Sequence, residues 1–146
     1  MKLKIGIIVI AIFLAICITI GNCVSKKEKI ISYNYFKGLN LELTGIVYKI
    51  NKLCCHNALI YLTISKTNIS DYDPSDSVKY FYCLIKNDKA VLVDGPADYI
   101  KMSDSISVSS KNNRISIFRK KKLINKYPLF LSEDYEAKEL KEKIKW

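Results

Sequence analysis

Histidine and arginine are scarce in this chain of 146 residues. The one histidine is His56 and the two arginines are Arg114 and Arg119, whereas the other 22 basic residues are lysines. A single histidine leaves little room for imidazole-based acid–base catalysis or for a zinc site. Proteins that read nucleic acids depend on arginine for bidentate contacts. Despite the net charge of +10, we therefore do not expect a nucleic acid as the partner.

Glycine and proline are few, and the common catalytic motifs are absent. Five glycines and three prolines exclude collagen-like and linker-like repeats. The sequence contains no Gly-x-Ser-x-Gly, His-Glu-x-x-His, Walker or Gly-x-Gly-x-x-Gly motif. With 49% hydrophobic residues, the chain can bury one modest core but is too short for two full domains. We therefore expect one small domain that is not an enzyme and holds no cofactor.

The N-terminus carries the clearest pattern. Lys2 and Lys4 flank the start of Ile5–Ile20, a run of sixteen uncharged and largely apolar residues. This run is slightly short for a membrane-spanning helix, which needs about 17–25 residues, and slightly long for the ~7–15-residue apolar region of a signal peptide. The pattern predicts a signal peptide or an anchor helix over residues 1–22.

The residues at the end of this run, Ile20-Gly21-Asn22-Cys23, resemble the lipobox of bacterial lipoproteins. In that family the cysteine is acylated through its sulfur and becomes the first residue of the mature chain, so the resemblance implies lipid attachment at Cys23. Asn22 departs from the glycine or alanine that usually precedes the cysteine. An uncleaved anchor helix and plain secretion are the alternatives. All three place the following domain outside the cytoplasm. We expect it in the bacterial cell envelope, anchored to the membrane and facing the periplasm or the exterior.

From Leu41 onward, apolar and polar residues alternate as they do in β-strands. Leu41–Ile50 alternates around Gly45, where a slip of phase predicts a bulge or a bend. Further candidate strands are Ala58–Ser65, Val78–Ile85, Ala90–Val93, Ser105–Ser109, Arg114–Phe118 and Leu123–Tyr127. Five to seven short strands separated by turns predict an all-β fold, in the form of a small OB-like barrel or sandwich.

The domain boundaries follow from these patterns. Residues 23–33 are expected to form a short polar tether, residues 34–131 the β-barrel domain and residues 132–146 a short C-terminal helix. Ser132 is placed to cap that helix, and Ala137, Leu140 and Ile144 form its thin apolar stripe.

Cysteine and histidine occur together at one point of the domain. Cys54, Cys55 and His56 are consecutive, and Cys83 lies in the third predicted strand. Adjacent cysteines point to opposite faces of an extended chain, which disfavours a shared zinc ion, and we expect no metal site. For Cys83 two interpretations stay open: a disulfide to Cys54 or Cys55, as in exported domains, or a small core residue.

Two groups of side chains are candidates for partner binding. They are the basic residues Arg119, Lys120, Lys121 and Lys122 and the tyrosines Tyr80 and Tyr82. A basic stretch favours an anionic partner, and exposed tyrosines stack on carbohydrate or peptide. We expect a non-enzymatic, membrane-tethered envelope protein that binds a protein, a glycan or an anionic envelope partner. The alternative is a small exported metal-binding or enzymatic domain that uses His56 and the cysteines.

Overall fold

The computed structural model describes residues 2–53, 58–74, 79–94, 99–133, 141–142 and 144. Over these residues the secondary structure comprises α1 Lys2–Leu39, β1 Glu42–Lys52, β2 Ala58–Thr67, β3 Asp71–Tyr72, β4 Lys79–Tyr80, β5 Cys83–Lys86, β6 Lys89–Asp94, β7 Ser105–Ser109, β8 Arg114–Arg119, β9 Lys122–Tyr127 and β10 Ser132–Glu133. The all-β class predicted for the domain is confirmed. These residues form ten strands rather than the predicted five to seven. The three shortest, β3, β4 and β10, have only two residues each.

Helix α1 contains the N-terminal apolar run and continues past Cys23 to Leu39. The residues predicted to form a tether, 23–33, are therefore helical. Among the residues whose side chains the structure describes, no helix is long and apolar enough to cross a membrane. Most side chains between Ile5 and Ile20 lie outside that part of the chain.

The chain divides into two compact units, Met1–Tyr35 and Phe36–Trp146. The first unit is helical from Lys2 onward. The second unit contains the last residues of α1 and all ten strands. The hydrophobic core and the candidate site belong to this second unit.

Eight strands form one antiparallel sheet in the order β3-β5-β6-β2-β1-β7-β8-β9, and β4 pairs with β10 in a separate ribbon. The long strand β1 lies at the centre, because it pairs with β2 on one side and, through Glu42–Ile46, with β7 on the other. The order is open and leaves β3 and β9 at its two edges. The pairing of the described strands thus shows a mostly β domain without establishing the closed, OB-like form.

Gly45 lies at an irregularity of β1, as its phase slip predicts. The register of β1 against β2 shifts between Thr44 and Gly45. A Cβ atom on Gly45 would lie 2.9 Å from the carbonyl oxygen of Thr63 and 3.0 Å from the Cβ of Leu62. The absence of a side chain therefore allows the close approach of the two strands at this point.

The main core follows one face of the sheet. Its members lie at alternate positions along the strands and face each other across the pairings; they include Leu43, Val47, Ile60, Leu62, Ala90, Leu92, Ile106, Val108, Ile115 and Ile117. A second buried cluster on the other face of β2 and β6 consists of Leu59, Tyr61, Tyr82 and Val91. Strands β2 and β6 are consequently buried on both faces, which explains their nearly continuous apolar sequences.

The single strand predicted over Val78–Ile85 is divided in the structure. Strand β4 ends at Tyr80 and β5 begins at Cys83, and the amide of Cys83 donates a 2.8 Å hydrogen bond to the carbonyl of Phe81. This tight turn interrupts the alternation on which the predicted strand depended.

The predicted C-terminal helix does not begin at Ser132. Ser132 and Glu133 form β10, where they pair with Tyr80 and Lys79. The pairing with a distant strand replaces the local capping that the sequence indicated. Lys141 and Glu142 are helical, and the other residues from 134 onward, except 144, lie outside the described residues.

Candidate partner-binding site

Strands β8 and β9 form a hairpin with a two-residue turn. Arg119 pairs with Lys122, so Lys120 and Lys121 occupy the two central turn positions. Their φ angles are 51° and 65°. Positive φ at both central residues is the geometry of a type I′ turn, whose twist matches that of the flanking strands. The turn therefore presents two adjacent lysines at the tip of the hairpin.

Lysine is an unusual residue at these positions. Type I′ turns favour Asn-Gly. Asparagine occupies three of the other positive-φ positions among the described residues, Asn40, Asn87 and Asn113. The left-handed region costs a residue with a Cβ roughly 1 kcal/mol or more relative to glycine. Turn stability therefore does not account for Lys120 and Lys121, which place charge at the tip at the expense of local stability.

Arg119 is held inside the domain by Asp104. Its Nε donates a 2.8 Å hydrogen bond to Oδ1 of Asp104, and its Nη2 donates 2.8 Å and 2.9 Å hydrogen bonds to Oδ2 of Asp104 and to the carbonyl of Tyr99. The amide of Lys101 also donates to Asp104 Oδ2, over 2.8 Å. The loop that carries Asp104 is in turn bonded to β1, since the amide of Val47 donates to the Asp104 carbonyl. These bonds fix the end of β8, and with it the hairpin.

Arg119 differs from the lysines beside it because its charge is paired within the domain. Asp104 is 1% exposed, and the hydrogen bonds from Arg119 hold the pKa of its carboxyl below the usual range. The positive charge of Arg119 is thereby compensated. Lys120, Lys121 and Lys122 are exposed and their side chains form no ion pair with the described residues. The predicted basic stretch therefore consists of one structural arginine and three available lysines, which we call the hairpin lysines.

The basic surface extends beyond the predicted residues. Between Asp104 and Glu133 the sequence contains seven basic residues and no acidic one. The additional ones are Lys111, Arg114 and Lys126, all exposed. Because this segment forms β7, β8 and β9, one end of the sheet carries uncompensated positive charge once Arg119 is paired. The missing acidic residues are the sequence signal that would have located this surface.

The two tyrosines predicted to bind a partner are not brought to this surface as an exposed pair. Tyr82 is buried against Leu59, Tyr61 and Val91 in the second cluster. The division of the strand at Phe81 turns Tyr82 inward, so its ring is unavailable for stacking on a ligand. The side chain of Tyr80 lies outside the described residues.

The structure describes only part of the predicted group of cysteines and histidine. Cys83 is free and fully buried, and burial raises the pKa of its thiol far above its usual range. A thiol that is buried and kept protonated in this way is a poor nucleophile. Cys54, Cys55 and His56 lie outside the described residues, and the rest of the chain brings together no group of three metal-binding side chains. Cys23 is part of α1, and its side chain is also outside the described set.

A concave region of about 380 Å³ lies beside β3 and β5. Its charged lining residues are Asp71, Asp73, Lys86 and Lys141, and Lys141 forms a 2.6 Å ion pair with Asp73. Two acidic and two basic groups balance each other there. This region therefore lacks the single sign of charge that distinguishes the β8–β9 hairpin.

Comparison with known proteins assigns no family to this fold or this site. The chain matches no protein-family model, no curated protein and no solved structure.

Proposed function

We propose that this chain is a membrane-tethered, non-enzymatic binding module of the bacterial cell envelope, whose β8–β9 hairpin engages an anionic partner. The observation that carries the proposal is the type I′ turn with Lys120 and Lys121 at its centre. These lysines occupy positions that disfavour them, and they have no partner among the residues that the structure describes. Charge that is displayed at an energetic disadvantage is best explained by a use outside the fold.

The surroundings of the turn support an anionic partner. The hairpin lysines belong to the acid-free segment between Asp104 and Glu133. Like charges that are not neutralised within the domain raise the local concentration of anions and their rate of association. The bidentate Arg119–Asp104 pair holds the hairpin in one orientation, so its lysines are presented on a rigid element.

Binding of an anionic probe tests this proposal. The full chain is purified in a mild nonionic detergent and titrated into fluorescein-labelled polyglutamate. Replacing Lys120, Lys121 and Lys122 together by glutamine is expected to weaken binding about tenfold, since each exposed charge pair contributes about 0.2–1 kcal/mol.

A matched control is available in α1, where Lys26, Lys27 and Lys29 are exposed. Replacing these three lysines by glutamine removes the same charge from the chain, and we expect it to change the affinity less than about twofold. Equal losses in the two triple variants would show that net charge rather than the hairpin carries binding, and would refute the proposal.

The membrane tether rests on the lipobox-like Ile20-Gly21-Asn22-Cys23 after the apolar run. Acylation of the cysteine would attach the domain through lipid rather than through a spanning helix. Intact mass and detergent partitioning are to be measured for the wild type, Cys23→Ser and Cys17→Ser, the last being a control in the same helix. We expect only Cys23→Ser to lose the lipid mass. A native protein that retains Met1 and carries no lipid contradicts the tether.

We further propose that the eight-stranded sheet curls into a partly open, OB-like barrel with its gap between the edge strands β3 and β9. The inward residues of β1, β7 and β8 are buried although the described elements provide no second full layer to cover them. A sheet that covers itself satisfies this burial. Backbone amides of β9 are then expected to exchange with solvent faster than those of β1. Equal protection of the two strands contradicts an open gap.

A further inference from the structure

We propose that β9 binds an extended, acidic protein segment by strand addition, in which the segment pairs with the free edge of the sheet. The inference rests on the proposed function and names its partner: a peptide that alternates acidic and apolar side chains. Strand addition uses backbone hydrogen bonds for affinity and alternate side chains for specificity.

The first observation is the position of β9. It is the last strand in the sheet order, so its outer edge pairs with no described strand. The amide of Lys126 donates a 2.9 Å hydrogen bond to Oδ1 of Asn125, the residue before it, and not to a neighbouring strand. Strand β9 has six residues, with an extra one at Ile124 opposite the step from Ile117 to Phe118, and still offers backbone groups for a short added strand. Strand β3 at the other edge has only two residues.

The second observation is the composition of this edge. Leu123 and Ile124 are 45% and 41% exposed, in the middle of a strand. Soluble proteins usually keep such edges short or free of exposed apolar residues, because they promote association. Lys122 and Lys126 are exposed on either side of this apolar pair. The edge therefore combines an apolar centre with positive ends.

The charge on β9 argues against a second copy of this chain as the occupant. Two β9 strands that paired edge to edge would bring the exposed Lys122 and Lys126 of both copies together along one seam, and accumulated like charge is destabilising. An acidic segment would instead place negative charges beside these lysines, and opposite charges attract.

The apolar pair also argues against a simple polyanion. A polyphosphate chain would satisfy the hairpin lysines, but it has no amide groups for the strand edge and no apolar groups for Leu123 and Ile124. A peptide that alternates acidic and apolar residues supplies all three kinds of contact. Cross-strand partners share a face, so Lys122, opposite Arg119, and Leu123, opposite Phe118, lie on opposite faces of β9. The acidic side chains of the peptide would face Lys122 and its apolar side chains Leu123.

The probe for this test is a fluorescein-labelled peptide of about eight residues, a typical strand length, with alternating glutamate and valine. Its affinity for the full chain in detergent is compared with that of the same peptide carrying N-methyl groups on alternate amides. N-methylation keeps the charge but removes the donors needed for strand pairing. We expect the N-methyl peptide, and the parent peptide on a Lys122→Glu/Lys126→Glu variant, each to bind at least about tenfold more weakly.

The control variant is Lys26→Glu/Lys29→Glu, which reverses the charge of two exposed lysines in α1 and is expected to alter affinity less than about twofold. Equal affinities of the parent and N-methyl peptides, or tighter binding of inorganic polyphosphate than of the parent peptide, overturn strand addition but leave the hairpin-dependent binding of polyglutamate intact. Concentration-dependent self-association that the peptide does not displace overturns it in favour of a second copy.

Discussion

Arg119 donates two hydrogen bonds of 2.8 Å to the carboxylate of Asp104, which is almost completely buried. The pair joins the end of β8 to the loop that is bonded to Val47 in β1. Arg119 thus anchors the hairpin that carries the free lysines to the central strand of the sheet. In the sequence, Arg119 is indistinguishable from the basic residues that follow it.

Asp104→Asn is expected to lower the free energy of unfolding by about 1–3 kcal/mol at neutral pH, because the charged acceptor for Arg119 is lost. The pKa of Asp104 lies below its usual range, so the stabilisation from its carboxylate is fully present above the ordinary aspartate pKa. It is lost as the pH falls through the lowered pKa of the folded state. The difference between wild type and variant in urea unfolding should therefore shrink in acid.

Asp71→Asn provides the control, because Asp71 is exposed and forms no ion pair among the described residues. Its effect on unfolding should stay within about 0.5 kcal/mol of the wild type. An Asp104→Asn difference that persists unchanged at about pH 2 would argue against the charged pair as its cause.

Gly45→Ala should destabilise the domain by about 1–3 kcal/mol, since the new methyl group would meet the Thr63 carbonyl oxygen at 2.9 Å and force β1 away from β2. Gly38→Ala in α1 is the comparison, because a Cβ there meets nothing within 4 Å. That substitution is expected to be neutral or stabilising by up to about 1 kcal/mol. Thermal unfolding of both variants tests the difference. A neutral Gly45→Ala would show that the close approach of the strands is not required.

Cys83→Ser should lower stability by about 1–3 kcal/mol, because a buried hydroxyl loses its water partners without gaining new ones. Cys83 is free in the structure, so a reducing agent should leave the melting temperature of the wild type unchanged. A reductant-induced loss of several degrees in the wild type but not in Cys83→Ser would restore the disulfide interpretation.

Local signals in the sequence located most of the strands. Alternation marked β1, β2, β7 and β8. Asn87 and Asp88, residue types that favour turns, connect β5 to β6, where Lys86 pairs with Lys89. These features depend on neighbours within a few residues. Strand β10 could not be found in this way, because it exists only through its pairing with β4.

The candidate site likewise combines features that the local sequence shows with features that depend on distant contacts. The run of basic residues from Arg119 to Lys122 is visible in the sequence, but the partner of Arg119 lies fifteen positions earlier. The open edge of β9 follows from the order of strands, which no local pattern determines. The inward position of Tyr82 likewise depends on the turn at Phe81, which interrupts a strand that reads as continuous.

The variant Lys120→Asn/Lys121→Gly shows whether Lys120 and Lys121 are retained for binding rather than for folding. It gives the turn the residues that its φ angles favour, so the free energy of unfolding should rise by about 1–2 kcal/mol. Affinity for labelled polyglutamate should fall about fivefold, because two exposed charges are removed. A variant that is more stable and binds more weakly is the predicted result. A stabilised variant with unchanged affinity would show that Lys120 and Lys121 are not retained for binding.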